Sequence, residues 1–234
     1  MNDLIPRFTW GEGGAAYFHG VLVDRRYVDI GGHVYEIAAL KDAADLLQLW
    51  DYGQRFVEKD VAPYGMELWP GAVILATHLS EAEPGRGRSA VDLGCGLGLL
   101  AIVATRLGWD VTATDNDDDA LRFSRYNAGL NGIQVARFET LDWHRPPEKR
   151  RFDRVLGGDV LYQVSDHEPI LRCVESLLAD NGEALFADPH RGAADRFPTL
   201  AENAGFAVEV LSGVAQMTPD RRIDGRIFRL TRPG

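Results

Sequence analysis

Three glycines at alternate positions lie between a short apolar segment and a longer one, in residues 89–102, which read SAVDLGCGLGLLAI. The β-type start predicts a strand, the glycines a tight turn, and the later apolar run a helix. Such a junction exposes backbone N–H groups at the positive end of a helix dipole and lets a ligand approach closely. The chemistry suggested by Asp92, Gly94, Gly96 and Gly98 is therefore the binding of a nucleoside-like ligand.

Two common glycine-rich motifs are excluded by the spacing. The dinucleotide fingerprint would need a glycine where Leu99 stands, and no Lys-Ser/Thr pair follows as in a P-loop. A glycine-rich turn of some other α/β protein remains the alternative for this stretch taken alone.

A carboxylate ends the second apolar segment, VTATD, at Asp115, 23 positions after Asp92. In a doubly wound sheet this position lies beside the glycine turn, where an acid can accept two hydrogen bonds from a ribose diol. The alternative is a capping role for the next helix, favoured by the polar residues 116–119. The acidity of this cluster disfavours a 2′-phosphate, and therefore NADP.

An acid and an aromatic ring follow the third predicted strand, at Asp142 and Trp143. Asp142 would accept a hydrogen bond from an exocyclic amine, and Trp143 offers a plane against which adenine would lie. The alternative for Trp143 is an ordinary place in the core.

The segment GGDVLY, residues 157–162, stands at the carboxyl end of the fourth predicted strand. Ligands of open α/β sheets bind beyond the carboxyl ends of the strands, so Asp159 and Tyr162 are expected to face the reacting atoms. The glycines permit close approach. In the alternative, Asp159 caps the next turn and Tyr162 packs under a loop.

Alternating strands and helices from residue 89 onward predict a mostly parallel sheet covered on both faces. The pattern predicts strands at 89–94, 110–115, 134–139, 153–160, 182–187, 206–214 and 226–231, and helices at 97–107, 118–130, 166–179 and 193–203.

The first 65 residues are predicted to be an N-terminal elaboration, and residues 66–234 the main domain. Residues 1–16 are expected to be a loose arm, 17–37 a β-hairpin or small meander turning at Gly31-Gly32, and 42–58 a helix. Trp69-Pro70 predicts the start of another helix, with its apolar face formed by Ala72, Leu75, Ala76 and Leu79.

Composition restricts the class of protein. A formal charge of −10 over 234 residues disfavours a broad grip on nucleic acid. We expect no membrane span and no signal peptide, and the two cysteines, Cys95 and Cys173, suit a cytoplasmic location. The six histidines show no metal-ligand spacing, so no metal site is expected.

These motifs occur together in one order: ELWPGA with Trp69, DLGCGLGLLAI, TATDND followed by Asn127 and Asn131, LDW, and GGDVLY. The set resembles the seven-strand protein lysine methyltransferases, sometimes called methyltransferase family 16, over roughly residues 60 to 190. The D-x-x-Y signature of that group is matched by residues 159–162.

The resemblance implies a Rossmann-like α/β fold with an antiparallel last strand, S-adenosylmethionine as cofactor and S-adenosylhomocysteine as product. It implies that Asp159 and Tyr162 lie near the methyl acceptor. It also implies a cofactor role for Trp69, Gly94, Gly96, Gly98, Asp115, Trp143 and Gly158. Together with these, we expect Asp92, Cys95, Asn116 and Asp142 to belong to the cofactor site.

The sequence departs from the family in small ways. Relatives often have alanine at Gly157-Gly158, a difference expected to be harmless, and residues 185–191, LFADPHR, resemble bacterial members. The Asn-Pro-Pro-aromatic motif is absent at the fourth strand, which weakens methylation of adenine or glutamine.

The leading hypothesis is methyl transfer to a protein side chain, with lysine as the first candidate. Methylation of a small-molecule amine and a non-catalytic adenosylmethionine-binding module are the alternatives. An NAD or nucleotide-sugar enzyme is disfavoured by the glycine spacing. Oligomeric state and the acceptor's identity are left open.

Overall fold

A seven-stranded sheet forms the centre of the computed structural model, which describes residues 8–10, 16–18, 20–41, 64–148 and 150–233. The strands are β1 Phe8–Trp10, β2 Ala16–Phe18, β3 Val21–Ile30, β4 His33–Leu40, β5 Ser89–Leu93, β6 Asp110–Asp115, β7 Arg137–Thr140, β8 Phe152–Gly158, β9 Leu178–Asp188, β10 Ala207–Thr218 and β11 Arg221–Thr231. The helices are α1 Pro70–Glu81, α2 Leu99–Arg106, α3 Asp118–Leu130, α4 Val164–Leu177 and α5 Phe197–Asn203.

The strand order of this sheet is β10-β11-β9-β8-β5-β6-β7. Strands β5 to β9 run parallel, whereas β11 is antiparallel to both of its neighbours. The predicted mostly parallel sheet with an antiparallel last strand is confirmed. Because the chain leaves β5 toward β6 on one side and later returns to β8 on the other, the carboxyl ends of β5 and β8 form a topological switch point.

Continuous apolar runs explain why the central strands lie inside. In β5 and β8 nearly every residue is buried, because helices cover both faces of a parallel sheet. Helix α1 begins at Pro70 as predicted, but its buried surface is wider than one face and includes Val73 and Ile74. The reason is its position, since α1 packs against β8 to β11 on one side and against β3 on another.

A second, antiparallel sheet has the order β1-β2-β3-β4. The predicted hairpin with its turn at Gly31-Gly32 is confirmed, and both glycines have a positive φ. The predicted loose arm is wrong for residues 8–10, which form strand β1. These residues are of β-prone types and pair with β2. The helix predicted at 42–58 lies outside the described residues.

The outer edge of β4 is covered by two asparagines, one in α3 and the other directly after that helix. Asn127 exchanges hydrogen bonds with the backbone of Ala38 at 2.9 and 3.1 Å, and Asn131 does the same with Glu36 at 3.0 and 2.8 Å. Side-chain amides thus satisfy an edge that would otherwise expose backbone groups. The second sheet also shares one apolar core with α1 and α2.

Other predicted elements differ mainly in their ends. The predicted helix 193–203 divides into a 3-10 turn, Gly192–Arg196, and α5, because Pro198 stands in the first turn of α5. Strands β10 and β11 form a longer hairpin than predicted. No helix within the described part of the chain is long and apolar enough to cross a membrane.

Candidate functional site

A cavity of about 660 Å³ opens at the carboxyl ends of the parallel strands. The structure brings most of the predicted site residues to it, and two of them, Asp92 and Gly98, do not line it. Those that line the cavity are Trp69, Gly94, Cys95, Gly96, Asp115, Asn116, Asp142, Trp143, Gly158, Asp159 and Tyr162.

The glycine loop between β5 and α2 has a left-handed backbone at each motif glycine. The φ angles are +67° at Gly94, +50° at Gly96 and +83° at Gly98, which other residues adopt only with strain. A Cβ at Gly98 would lie 2.1 Å from Oγ of Ser124 on α3. Gly98 therefore lets α2 and α3 approach one another, which explains why it is near the cavity without lining it.

Asp115 lines the cavity and is held in place by backbone hydrogen bonds. Its Oδ2 accepts from the N–H of Gly96 at 2.9 Å, and its Oδ1 accepts from the N–H of Asp117 at 3.0 Å. Burial raises the pKa of Asp115 to about 6, although these backbone amides oppose the shift. Capping of α3 belongs to Asp117, which accepts from the N–H of Asp119. Each oxygen of Asp115 keeps a lone pair with which it can accept a ligand hydroxyl.

Asp92 is fully buried under the same loop. Neither oxygen of its carboxylate has a hydrogen-bond partner at normal distance and angle. Burial, and next the charge of Asp115, raise the pKa of Asp92 to about 8. Asp92 therefore does not reach the cavity.

Trp143 forms a side wall of the cavity and also packs against the core. A Cβ at Gly94 would lie 3.2 Å from Cζ3 of Trp143, so the glycine makes room for the ring. Next to it, Oδ1 of Asp142 accepts from the N–H of His144 at 2.9 Å. His144 Nε2 lies 3.0 Å from Oδ1 of Asp166, a pair that also lines the cavity and was not predicted.

Asp159 occupies a strained position at the end of β8, with φ +68°. Its Oδ2 accepts from the N–H of Gly71, the second residue of α1, at 3.0 Å. Its Oδ1 accepts from Nε of Arg191 at 2.7 Å, and its side chain is only 2% exposed. The carboxylate is therefore engaged at both oxygens before any acceptor arrives.

Arg191 is a cavity residue that the sequence did not identify, since it follows Asp159 by 32 positions. Its backbone N–H donates to the carboxylate of Asp188 at 3.1 Å, which fixes the loop after β9. Its guanidinium carbon lies 5.3 Å from the ring centre of Trp69, within cation–π range. The only hint in the sequence was its place in LFADPHR.

Aromatic rings surround the cavity mouth. Tyr64 lies 5.8 Å from Trp69 and 5.8 Å from Tyr162 between ring centres, both contacts edge-to-face. Trp69 also donates from Nε1 to the carbonyl of Tyr64 at 2.7 Å. Burial, and next the negative charge of Asp166, raise the pKa of Tyr162 to about 12, so its phenol stays neutral.

The fold is that of the class I methyltransferases. A TehB-like SAM-dependent methyltransferase from Corynebacterium glutamicum superposes with a TM-score of 0.52 and 21% identity, over 78% of this chain and 97% of that one. The lysine methyltransferase family matches residues 51–201, and the chain belongs to that family.

Two curated relatives from Mus musculus illustrate the range of acceptors among similar proteins. Protein N-lysine methyltransferase METTL21A is 38% identical over 144 residues, which cover 58% of this chain and 66% of the relative. Histone-arginine methyltransferase METTL23 is 29% identical over 136 residues, which cover 53% and 51%. The chain thus spans between about half and two thirds of the length of these relatives.

Proposed function

We propose that this chain transfers a methyl group from S-adenosylmethionine to a lysine amine of a protein. The observation that carries the proposal is the convergence of the motif residues on one cavity, with Asp115, Trp143 and Tyr162 on its walls. Membership of the lysine methyltransferase family supports the same reaction.

The cavity residues fit an adenosyl group with a methionine tail. A volume of about 660 Å³ is within the usual range for a ligand of this size. Asp115 would accept from the ribose hydroxyls, with Asn116 beside it, while Trp143 and Asp142 would hold the adenine. Gly94, Cys95 and Gly96 would admit the tail close to the backbone, and Trp69 and Gly158 would close the wall opposite. Asp92 and Gly98 would act by shaping the loop.

When bound, S-adenosylmethionine supplies an electrophilic methyl group. The lysine ammonium would first lose a proton to water; the neutral amine would then bond to the methyl carbon as the carbon–sulfur bond breaks, and S-adenosylhomocysteine would leave. The chain's own contribution is to hold the reactants in line and to exclude water. Asp159 is not placed as a free base, because its carboxylate is held by Gly71 and Arg191. Asp159 would therefore position α1 and Arg191, and Tyr162 would contact the acceptor.

A protein acceptor is favoured over a small amine by the described relatives, both of which are named as protein methyltransferases. Lysine is favoured over arginine by the family match and by the higher identity to METTL21A. Residues 1–65 would serve as the acceptor-binding elaboration, and residues 66–234 as the catalytic domain. Two free cysteines support a cytoplasmic location.

The purified chain is incubated with S-adenosylmethionine labelled in its methyl group and with a lysate of the source cells. The expected result is label in the protein fraction, recovered as methyl-lysine after acid hydrolysis. Asp115→Ala is the control that should lose the signal. Label confined to small molecules, or recovered as methyl-arginine, would contradict the lysine assignment.

A further inference from the structure

Two tyrosines at the cavity mouth are exposed although they touch each other. Tyr64 is 46% exposed and Tyr162 is 37% exposed, whereas the rings of Phe186 and Phe197 are fully buried. Their ring centres are 5.8 Å apart and their planes are inclined by 80°. Two nearly perpendicular aromatic rings at the entrance to a cavity present a surface of a kind that binds cations.

The charges around these rings favour the binding of a cation. Three carboxylates, those of Asp166, Asp115 and Asp159, place negative charge around the Tyr162 phenol. The cavity lining also includes the acidic residues Glu67, Asp117 and Asp142. The basic side chains among its described lining residues are Arg191 and His144. The chain as a whole carries −10. A cationic side chain is therefore attracted to the mouth.

Trp69, beside the two tyrosines, already contacts the cationic side chain of Arg191. Its ring lies under the guanidinium of Arg191, and its Nε1 is bonded to the carbonyl of Tyr64. Trp69 is thus already paired with Arg191, whereas Tyr64 and Tyr162 are exposed at the mouth.

We propose that Tyr64 and Tyr162 form the recognition site for the acceptor side chain, and that Tyr64 selects a long cationic side chain. The inference rests on the proposed function and adds Tyr64 to it as a specificity-determining residue. The ring faces pack against the aliphatic stem of lysine and attract its ammonium group. Since methylated ammonium groups remain cationic, the same rings retain the product for further methyl transfers.

Three substitutions at Tyr64 separate the ring from the hydroxyl and from simple bulk. Tyr64→Phe keeps the aromatic face and is expected to behave like the native chain. Tyr64→Ala and Tyr64→Leu remove that face. Both should raise KM by roughly 2- to 30-fold for the protein that the native chain labels in the lysate, purified and used as the substrate. Both should leave kcat and the affinity for S-adenosylhomocysteine within about twofold, and should shift the products toward monomethyl-lysine.

Tyr27→Ala is the matched control, because Tyr27 is 64% exposed on β3 and does not line the cavity. If Tyr64→Ala unfolds at a lower temperature than the native chain, Tyr64→Leu takes its place, because leucine preserves apolar bulk. The same rise in KM is expected of Tyr64→Leu. An unchanged KM in Tyr64→Leu, or a KM in Tyr64→Phe as high as in Tyr64→Ala, overturns the inference. So does an equal loss of S-adenosylhomocysteine affinity, which would place Tyr64 in the cofactor site.

Failure of the proposed function looks different from failure of this inference. If the native chain transfers no methyl group to protein, the proposed function fails and this inference fails with it. If the native chain is active and only the Tyr64 variants depart from expectation, the inference alone is overturned.

Discussion

The Nε of Arg191 donates to Oδ1 of Asp159 at 2.7 Å, while the other oxygen of that carboxylate accepts from the N–H of Gly71. This arrangement ties together the end of β8, the start of α1 and the loop after β9. The acid of the D-x-x-Y signature is thus a structural junction inside the cavity wall. An acceptor amine that approached it would meet a carboxylate whose charge is already paired with Arg191.

Replacement of Asp159 by alanine should abolish most methyl transfer and leave cofactor affinity within several-fold. The start of α1 and Arg191 would each lose a partner, and the unfolding free energy should fall by about 1–3 kcal/mol. Calorimetry, thermal denaturation and a transfer assay measure the three quantities. Asp195→Ala breaks an exposed ion pair with Arg226 and is the control. Unchanged turnover in Asp159→Ala would remove this residue from the account.

Cofactor affinity should weaken as the pH falls through about 6, the pKa of Asp115. Above that pH the carboxylate is ionised and accepts from hydroxyls, whereas protonation removes one acceptor and the negative charge. For a single group this predicts roughly tenfold weaker binding at pH 5 than at pH 7. Isothermal titration across this range measures the effect, and Asp115→Asn should flatten it. A pH-independent affinity in the native chain would show that Asp115 does not carry the ribose contact.

The stability of the fold should decrease as the pH rises from about 4 to 8 through Asp92. The unfolded chain loses this proton near 3.8 and the folded chain near 8, so the folded state binds the extra proton between them. The contribution of Asp92 has a slope of at most about 1.4 kcal/mol per pH unit, and Asp92→Asn should remove that contribution. Asp115, whose pKa is raised to about 6, adds a slope of the same sign below that pH, so the loss in Asp92→Asn should be clearest between pH 6 and 7. Urea unfolding at pH 5, 6 and 7 provides the measurement.

Asp153→Asn is the control variant for the urea-unfolding experiment on Asp92. Hydrogen bonds from Ser89 hold the pKa of Asp153 below its usual value, so its contribution is complete above pH 4 and is lost only in more acid solution. This variant should lower stability equally at pH 5 and pH 7. If Asp92→Asn behaves in the same way, the buried acid is not protonated at neutral pH.

Gly158→Ala should destabilise the chain by about 1–3 kcal/mol and reduce methyl transfer. A Cβ there would lie 2.8 Å from Cα of Ala72, so α1 would be pushed away from β8 and from Asp159. The presence of glycine where relatives often have alanine is therefore tied to the close packing of α1 in this chain. Gly129→Ala in α3 meets nothing within 4 Å and should stabilise by up to about 1 kcal/mol. Equal melting temperatures for the two variants would contradict this explanation.

Much of the fold could be predicted because its signals are local. The glycine loop, the turn at Gly31-Gly32 and the helix start at Pro70 each depend on a few adjacent residues with restricted backbone angles. The alternation of apolar runs then fixes a parallel sheet, and the sheet brings Asp115, Trp143 and Asp159 to one edge. Most of the predicted lining followed from that geometry.

The remaining site residues depend on contacts between distant segments. Arg191 reaches Asp159 from the loop after the neighbouring strand β9, and Tyr64 reaches Tyr162 from the segment before α1. The burial of Asp92 likewise reflects packing around the loop rather than its motif position. No local pattern encodes such pairings, because they depend on how loops from separate strands pack at the cavity.

The most direct test of the account is calorimetric titration of the full chain with S-adenosylhomocysteine and, separately, with NAD. We predict one S-adenosylhomocysteine per chain, at least about tenfold weaker binding in Asp115→Ala, and no binding of NAD. Binding of NAD with no binding of S-adenosylhomocysteine would contradict the assignment of the cavity to a methyl donor.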